Sequence, residues 1–395
     1  MERIIVDKQM AAPTTAAGIL RLFFHDCVVG GCDASLLIAS NAHTTAERDA
    51  ELNRSLPGDA FDLIVRLKTA LELECPNTVS CADILAVAAR NLVSMVGGPY
   101  YEVVLGRKDS LESRASDVPG HIATPYMPMD KIIAVFASKN LTVQELVTLS
   151  GAHTIGFAHC SEFSHRIFNF SSTSQSCDPN IQVPHQFDPT LHPTFAHALQ
   201  KLCANYTKQM GMSAFNDVMT PGKFDNMYYV NLQNGMGLLA SDEALFTDNR
   251  TRPYVDLYAK NQTAFFDAFA RVMEKVSVYE VKTGKDGEKW VLLKIIAAKT
   301  GFSGLNLQPF LPHPLLFVGI LVPSQRLRVR ELFKTILALK FPLAGAGAGA
   351  AACGGGSKPK SLSFFAGGRD SLSPFLNGEE EREVEISLDM FFVLA

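Results

Sequence analysis

Helix punctuation is the feature that most narrows what this chain can fold into. The segment "SCADILAVAARNLVSMVGG" opens with Ser80 and Asp83 in capping-box spacing, runs on as apolar helical text and stops at Gly97-Gly98. "TVQELVTLSGAHTIG" opens with Thr142 and Glu145, a T-x-x-E box, so its helix is short and His153 falls at or just past its end. "FDLIVRLKTALELEC" places Phe61, Ile64, Val65, Leu67 and Leu71 close to one helical stripe, and "RPYVDLYAKNQTAFFDAFARVMEKV" is helical text as well. Strand signals are few and short, "YYEVVLGRKD" being one. The pattern predicts a mostly α fold up to about residue 280.

Near residue 288 the text changes. It becomes apolar and proline-dotted, then reads "PLAGAGAGAAACGGGSKPK", then turns acidic in "NGEEEREVE". Alanine-glycine text buries too little apolar surface to offset the entropy of ordering. Residues 289–395 are therefore expected to form a separate, mainly disordered tail to a domain spanning 1–288.

With 395 residues, a net charge of −4 and 47% hydrophobic residues, the chain is long enough for a sizeable core. That charge gives no reason to expect a nucleic-acid partner. No apolar run reaches the roughly 18 residues of a membrane span. The opening "MERIIVDKQMAAPTT" lacks the apolar stretch of a secretory signal. Eight cysteines, at 27, 32, 75, 81, 160, 177, 203 and 353, suit either a disulfide framework or reduced thiols. Sequons at Asn53, Asn140, Asn169, Asn205, Asn249 and Asn261 add weight to secretion.

Two histidines organise the chemistry. In "RLFFHDC", Arg21 and His25 are four residues apart and share one face of a helix, with Phe24 beside them. In "DCVVGGCDAS", which follows, Asp26, Asp33 and Ser35 offer side-chain oxygens, and Gly30-Gly31 lets carbonyls turn inward. Hard oxygen donors in a tight loop suit calcium. A zinc site of His25, Cys27 and Cys32 competes, but C-x4-C without a second pair is poor zinc spacing. His153 repeats the arrangement, since Thr154 follows it and "FNDVMTPGKFDN" supplies Asp217, Thr220 and Asp225 as a second oxygen cluster.

Taken together, "RLFFHDC…GCDAS", "VSCADILA", "LSGAHTIG" and "FDNMYYVNL" resemble the plant secretory (class III) haem peroxidases, with the motifs in the family's order from about residue 5 to residue 288. The resemblance implies a mostly α fold with haem b between two helical halves and His153 on the haem iron. Asp242 would accept the other N–H of His153. His25 would take a proton from hydrogen peroxide and return it to the departing oxygen, with Arg21 stabilising the charge that develops there. Asn53 would hold His25 in the right tautomer, its sequon buried and unused, and Glu47 would support the same network. Two calcium ions are implied: one on Asp26, Asp33, Ser35 and the carbonyls of Val29 and Gly31, the other on Thr154, Asp217, Thr220, Asp225 and the Lys223 carbonyl. Donors would be small phenols oxidised by one-electron steps, at an edge where Ala123 stands in place of the usual proline. The family further implies a monomer in the apoplast, cell wall or vacuole.

Departures from the pattern matter too. The family's opening helix, first cysteine and final cysteine are absent, so Cys75 and Cys81 lack their usual partners while Cys27–Cys32 and Cys160–Cys203 remain possible. Cys177 and Cys353 are extra. Each native bridge in a small secreted domain contributes about 2–5 kcal/mol, which supports a second reading: a catalytically impaired, incomplete peroxidase-like chain. His159 and His165 are expected to be exposed helix residues, Phe163 to Phe170 to be core, and Trp290 to lie in the tail.

Overall fold

The computed structural model describes residues 1–168, 170–171, 184–185 and 187–287. The tail at 289–395, and with it Trp290 and Cys353, lies outside the described residues, as do Cys177 and the Asn169 sequon. Twelve α-helices run through the described part: α1 (Glu2–Ala11), α2 (Thr15–Val28), α3 (Gly58–Glu74), α4 (Cys81–Met95), α5 (Met129–Ala137), α6 (Val143–Ser150), α7 (Ser164–Ile167), α8 (Pro193–Leu202), α9 (Met227–Gln233), α10 (Ala240–Thr247), α11 (Arg252–Lys260) and α12 (Gln262–Ser277). The mostly α fold expected from the sequence is what forms.

The caps read from the sequence are made. Ser80 Oγ accepts from the Asp83 amide at 3.1 Å. Thr142 and Glu145 close a reciprocal box, with Thr142 Oγ1 accepting from the Glu145 amide at 3.2 Å and Glu145 Oε2 accepting from the Thr142 amide at 2.7 Å. The first four amides of a helix have no partner within it, and a cap that satisfies one is worth about 1 kcal/mol.

α2 is buried on nearly every face, from Thr15 through Val28, because it packs against α4, α3 and α12 at once. Gly18 permits this: a β-carbon there would stand 2.8 Å from Pro57 Cγ. On the other side of the main core, Gly151 allows the turn before His153 to lie on Phe265, whose Cε2 would be 2.6 Å from an added β-carbon. The core behind it is aromatic, with Tyr229 and Phe265 ring centroids 5.0 Å apart.

A second apolar cluster gathers Phe163, Ile167, Phe195 and Leu199 around the Cys160–Cys203 disulfide, as expected for core text at Phe163. The Cys27–Cys32 disulfide closes the loop after α2. Cys75 and Cys81 are free thiols, and Cys81 is completely buried.

The strand expected in "YYEVVLGRKD" does not form. Val104 and Leu105 are 66% and 63% exposed, and the amides of Gly106 and Arg107 donate to the Asp83 carboxylate at 2.8 and 3.2 Å instead of to a neighbouring strand. Tyr101 is buried in the main core and Val103 packs against it, but the backbone makes no more than an isolated bridge at Asp109. The strands lie elsewhere: β1 (Phe157–His159) pairs antiparallel with β4 (Ser213–Phe215), and β2 (Phe170–Ser171) with β3 (Pro184–His185).

Candidate active site

A cavity of about 790 Å³ opens between the inner face of α2 and the segment that follows α6. Arg21, Phe24 and His25 come to its wall from α2, His153 from the 3₁₀ turn Gly151–Thr154, Asp242 from α10, and Ala123 from the loop before α5. Helical spacing explains the first group, since residues three and four apart share a face.

On the α2 side, His25 is 6% exposed and its Nδ1 lies 2.7 Å from Asn53 Oδ1. Asn53 Nδ2 donates to the Glu47 carbonyl at 2.7 Å, which fixes the amide so that its oxygen faces the imidazole. An amide oxygen can only accept, so Nδ1 carries the proton and Nε2 is left as the bare nitrogen. Burial, reinforced by the Arg21 charge and only partly offset by Asn53, pushes the His25 pKa down to about 3. The ring is thus a neutral proton acceptor at physiological pH. Arg21 donates to the Ser55 carbonyl at 3.0 Å and to Ser55 Oγ at 2.9 Å. The network continues past Asn53, because the Glu47 carboxylate accepts from Ser35 Oγ at 3.0 Å. Glu47 therefore joins His25 to the loop after α2.

Opposite, His153 Nδ1 lies 2.8 Å from Asp242 Oδ1, which also accepts from Tyr228 Oη at 2.9 Å. Burial alone would lower the His153 pKa, but the Asp242 carboxylate, by charge and hydrogen bond together, raises it. Both histidines thus spend Nδ1 on a protein oxygen and keep Nε2. Tyr228 lies inside the motif "FDNMYYVNL", although nothing in that text shows where its hydroxyl goes.

The oxygen atoms expected near His153 are brought together. Thr154 Oγ1 is 3.3 Å from Asp217 Oδ2 and 3.4 Å from the Lys223 carbonyl, and Thr220 Oγ1 is 3.1 Å from both Asp217 Oδ2 and Asp225 Oδ1. Asp217 and Thr154 are fully buried. Near His25, Asp26 accepts from the Ala34 and Leu36 amides at 2.9 and 3.3 Å, and Asp33 accepts from the Ser35 amide at 3.0 Å. Burial first, then the neighbouring charges of Asp33 and Glu47, hold the Asp26 pKa well above the carboxylate range. Such a concentration of buried acid is what a cation relieves. Lys282 Nζ sits on Asp33 and is 2.8 Å from Ser110 Oγ, a partner the sequence does not announce. Val29 follows the end of α2, and Gly31 takes a φ of +102°, which suits an inward-turning carbonyl. Among the described residues no cluster of three or more His, Cys, Asp or Glu is set to hold a metal, so the two oxygen sets depend on hydroxyls and carbonyls as well.

His159 departs from expectation. It lies on β1, not on an exposed helix, because pairing with Ser213 draws it into the cavity wall. Its Nδ1 and Asn216 Oδ1 are both buried without a hydrogen-bond partner among the described residues, and both residues line the cavity. His165 is at the helical position expected, in α7, with its ring against Tyr126. The fully buried Arg166 was not singled out by any motif. It donates to the carbonyls of Gly237, Leu238 and Leu239 at 2.6, 2.9 and 3.1 Å and to Asp188 Oδ2 at 2.9 Å, fixing the strap that leads into Asp242.

These features define a class. Two facing imidazoles with bare Nε2 atoms, walls that include Phe24, Leu149 and Phe269, and two unpartnered polar atoms fit a flat apolar macrocycle with a polar edge and an imidazole-binding metal. The peroxidase family profile matches residues 2–261, and the chain belongs to that family, among the class III plant enzymes. Peroxidase 6 of Arabidopsis thaliana is 63% identical over 286 residues, covering 72% of this chain and 84% of that protein. Peroxidase 41 of the same plant is 56% identical over 284 residues, 72% of this chain and 82% of its own length, and Peroxidase 65 is 55% identical over 284 residues, 72% and 80%. The chain is a haem peroxidase, an oxidoreductase that reduces hydrogen peroxide, and the impaired-copy reading is not favoured.

Proposed function

We propose that residues of this cavity divide the reaction between two walls, with the His25–Asn53–Glu47 relay as the observation that carries the reading. Haem b, when bound, supplies the redox chemistry of oxygen–oxygen cleavage and of the two one-electron oxidations that follow. His25 Nε2 takes a proton from hydrogen peroxide and returns it to the outer oxygen, which leaves as water. Arg21 offers a fixed guanidinium to the charge developing on that oxygen. His153 Nε2 would hold the iron, and Asp242, 2.8 Å from Nδ1, would keep that imidazole electron-rich by accepting its Nδ1–H. Phe24 and Ala123 lie on the wall where the macrocycle and the phenolic donor would meet.

Two calcium ions complete the proposal. The set Thr154, Asp217, Thr220, Asp225 and the Lys223 carbonyl would hold one; Asp26, Asp33, Ser35 and the Val29 and Gly31 carbonyls the other. Each set adjoins a catalytic histidine in sequence, so each ion would stiffen one wall. A monomer in the apoplast, cell wall or vacuole is consistent with the two disulfides and with exposed sequons at Asn140, Asn205, Asn249 and Asn261; Asn53 is buried and occupied. No described helix is long and apolar enough to cross a membrane. A peroxidase domain over 1–288 with a distinct segment beyond it is the organisation we propose.

Optical titration of the calcium-loaded chain with haemin, followed by hydrogen peroxide and then guaiacol, tests the assignment. A one-to-one spectrum of a histidine-bound haem that cycles with peroxide and phenol is expected in the wild type. Abolition of haem binding by His153→Ala, and loss of peroxide turnover with haem retained in His25→Ala, would follow. Unchanged peroxide turnover in His25→Ala would refute the division of roles.

A further inference from the structure

The wall of the cavity carries two carboxylates that peroxide reduction does not use. Glu162 is half-buried and Glu51 is exposed, and both line the same cavity as Arg21 and His25. The other charged groups on that wall are committed: Asp59 pairs with Lys8, Asp242 with His153, and Arg21 donates to Ser55. Neither Glu51 nor Glu162 takes part in a direct ion pair among the described residues. Because one is exposed and the other half-exposed, they mark the cavity's opening and not its floor.

An aromatic surface stands beside Glu162. Tyr126 lines the cavity and is 54% exposed. Its hydroxyl donates to the carbonyl of Ser161 at 2.9 Å, and its ring rests on His165 with centroids 4.8 Å apart. A tyrosine held at both ends offers a fixed face at little entropic cost. The field of Glu162 reaches both sides of the opening: it partly offsets the burial that lowers the Arg21 pKa, and it adds to the burial that raises that of Tyr126.

We propose that Glu51 and Glu162 make this cavity selective for cationic and uncharged aromatic donors over donors bearing a carboxylate, with Tyr126 as the surface on which the donor ring lies. The inference rests on the peroxidase reading and concerns which phenols that site accepts. A carboxylate entering a cavity that carries these two like charges is repelled, and an ammonium is drawn in. For charges several ångström apart at a wet opening, each glutamate is worth roughly five-fold in relative specificity.

The test uses the haem-loaded full chain and three phenols: tyramine, which is cationic, coniferyl alcohol, uncharged, and ferulate, anionic. The ratio of kcat/KM for tyramine to that for ferulate is expected to exceed one at low ionic strength and to shrink with added salt. In Glu162→Gln it falls roughly five-fold, and in the double variant with Glu51→Gln by about an order of magnitude or more. Tyr126→Ala raises KM for all three without changing the ratio. Ratios that do not move in the double variant overturn the proposal. Equilibrium binding of tyramine and ferulate to the resting protein separates the two levels of argument. Preference for tyramine without turnover of any donor would uphold the binding selectivity and refute the peroxidase reading, whereas turnover of all three with equal binding would do the reverse.

Discussion

Replacing Asn53 by valine removes little volume but both the acceptor for His25 and the donor to the Glu47 carbonyl, and the structure fixes what the first of these losses should cost. The 2.7 Å bond from His25 Nδ1 to Asn53 Oδ1 is buried, with His25 and Asn53 6% and 2% exposed. Leaving a buried donor without a partner costs about 1–3 kcal/mol. That penalty falls on the one tautomer that keeps Nε2 bare, so the second-order rate constant for hydrogen peroxide should drop about 10- to 100-fold. Stopped-flow mixing of the haem-loaded protein with peroxide reads this step, and donor oxidation in a separate mix should be nearly unaffected. The pH profile adds a second arm. Only neutral His25 accepts a proton, so the rate declines as pH falls through the His25 pKa, which burial and Arg21 push down to about 3. The wild type should therefore hold its rate constant between pH 4 and 7. Asn53→Asp places a carboxylate on the imidazole, raises its pKa and moves the decline to higher pH. A wild-type rate that halves near pH 6.5, or an Asn53→Val protein as fast as wild type, would refute the reasoning.

Asp242→Asn exchanges an acceptor for an amide and should weaken haem retention and lower the iron–histidine stretching frequency in resonance Raman spectra; an unchanged frequency would mean Asp242 does not act on His153. Chelation of calcium should lower peroxidase activity and thermal stability together, and Asp217→Asn should pre-empt much of that loss; full activity in excess chelator, with calcium shown by elemental analysis to be gone, would sink the calcium assignment. Arg166→Met strands Asp188 and three carbonyls in a buried setting, a loss of about 3–5 kcal/mol or a Tm lower by roughly 6–20 °C in a domain of this size; calorimetry showing a change under about 1 kcal/mol would refute it.

Much of the site was legible because its chemistry is local. Arg21, Phe24 and His25 sit within one helical turn, and the glycines after Asp26 announce the loop that follows. The Asn53 and Asp242 roles came from motif resemblance, and the geometry that supports them spans 28 and 89 residues of sequence. Contacts made by tertiary closure left no such trace. Arg166 is one arginine among many until the carbonyls of 237–239 turn toward it, and Lys282 meets Asp33 across 249 positions. His159 was expected on an exposed helix because the motifs that carry the resemblance do not use it. Its place on a three-residue strand depends on Ser213, far along the chain, and so short a ladder has no periodicity to read. The expected strand at 100–109 failed for the complementary reason: β-branched residues were present, but Asp83 claimed the amides.

Arg166 also bears on the order in which the molecule comes together. Its helix belongs to the apolar cluster around Cys160–Cys203, while the carbonyls it grips run directly into α10. Until that cluster condenses, the strap from Gly237 to Leu239 lacks its Arg166 anchor, and Asp242 depends on the Tyr228 hydroxyl for its position beneath His153. Closure of the 43-residue loop between Cys160 and Cys203 thereby becomes a step on the way to a haem-competent proximal wall. Haem capture by the refolding chain should lag the formation of bulk helix and keep pace with oxidation of that cysteine pair.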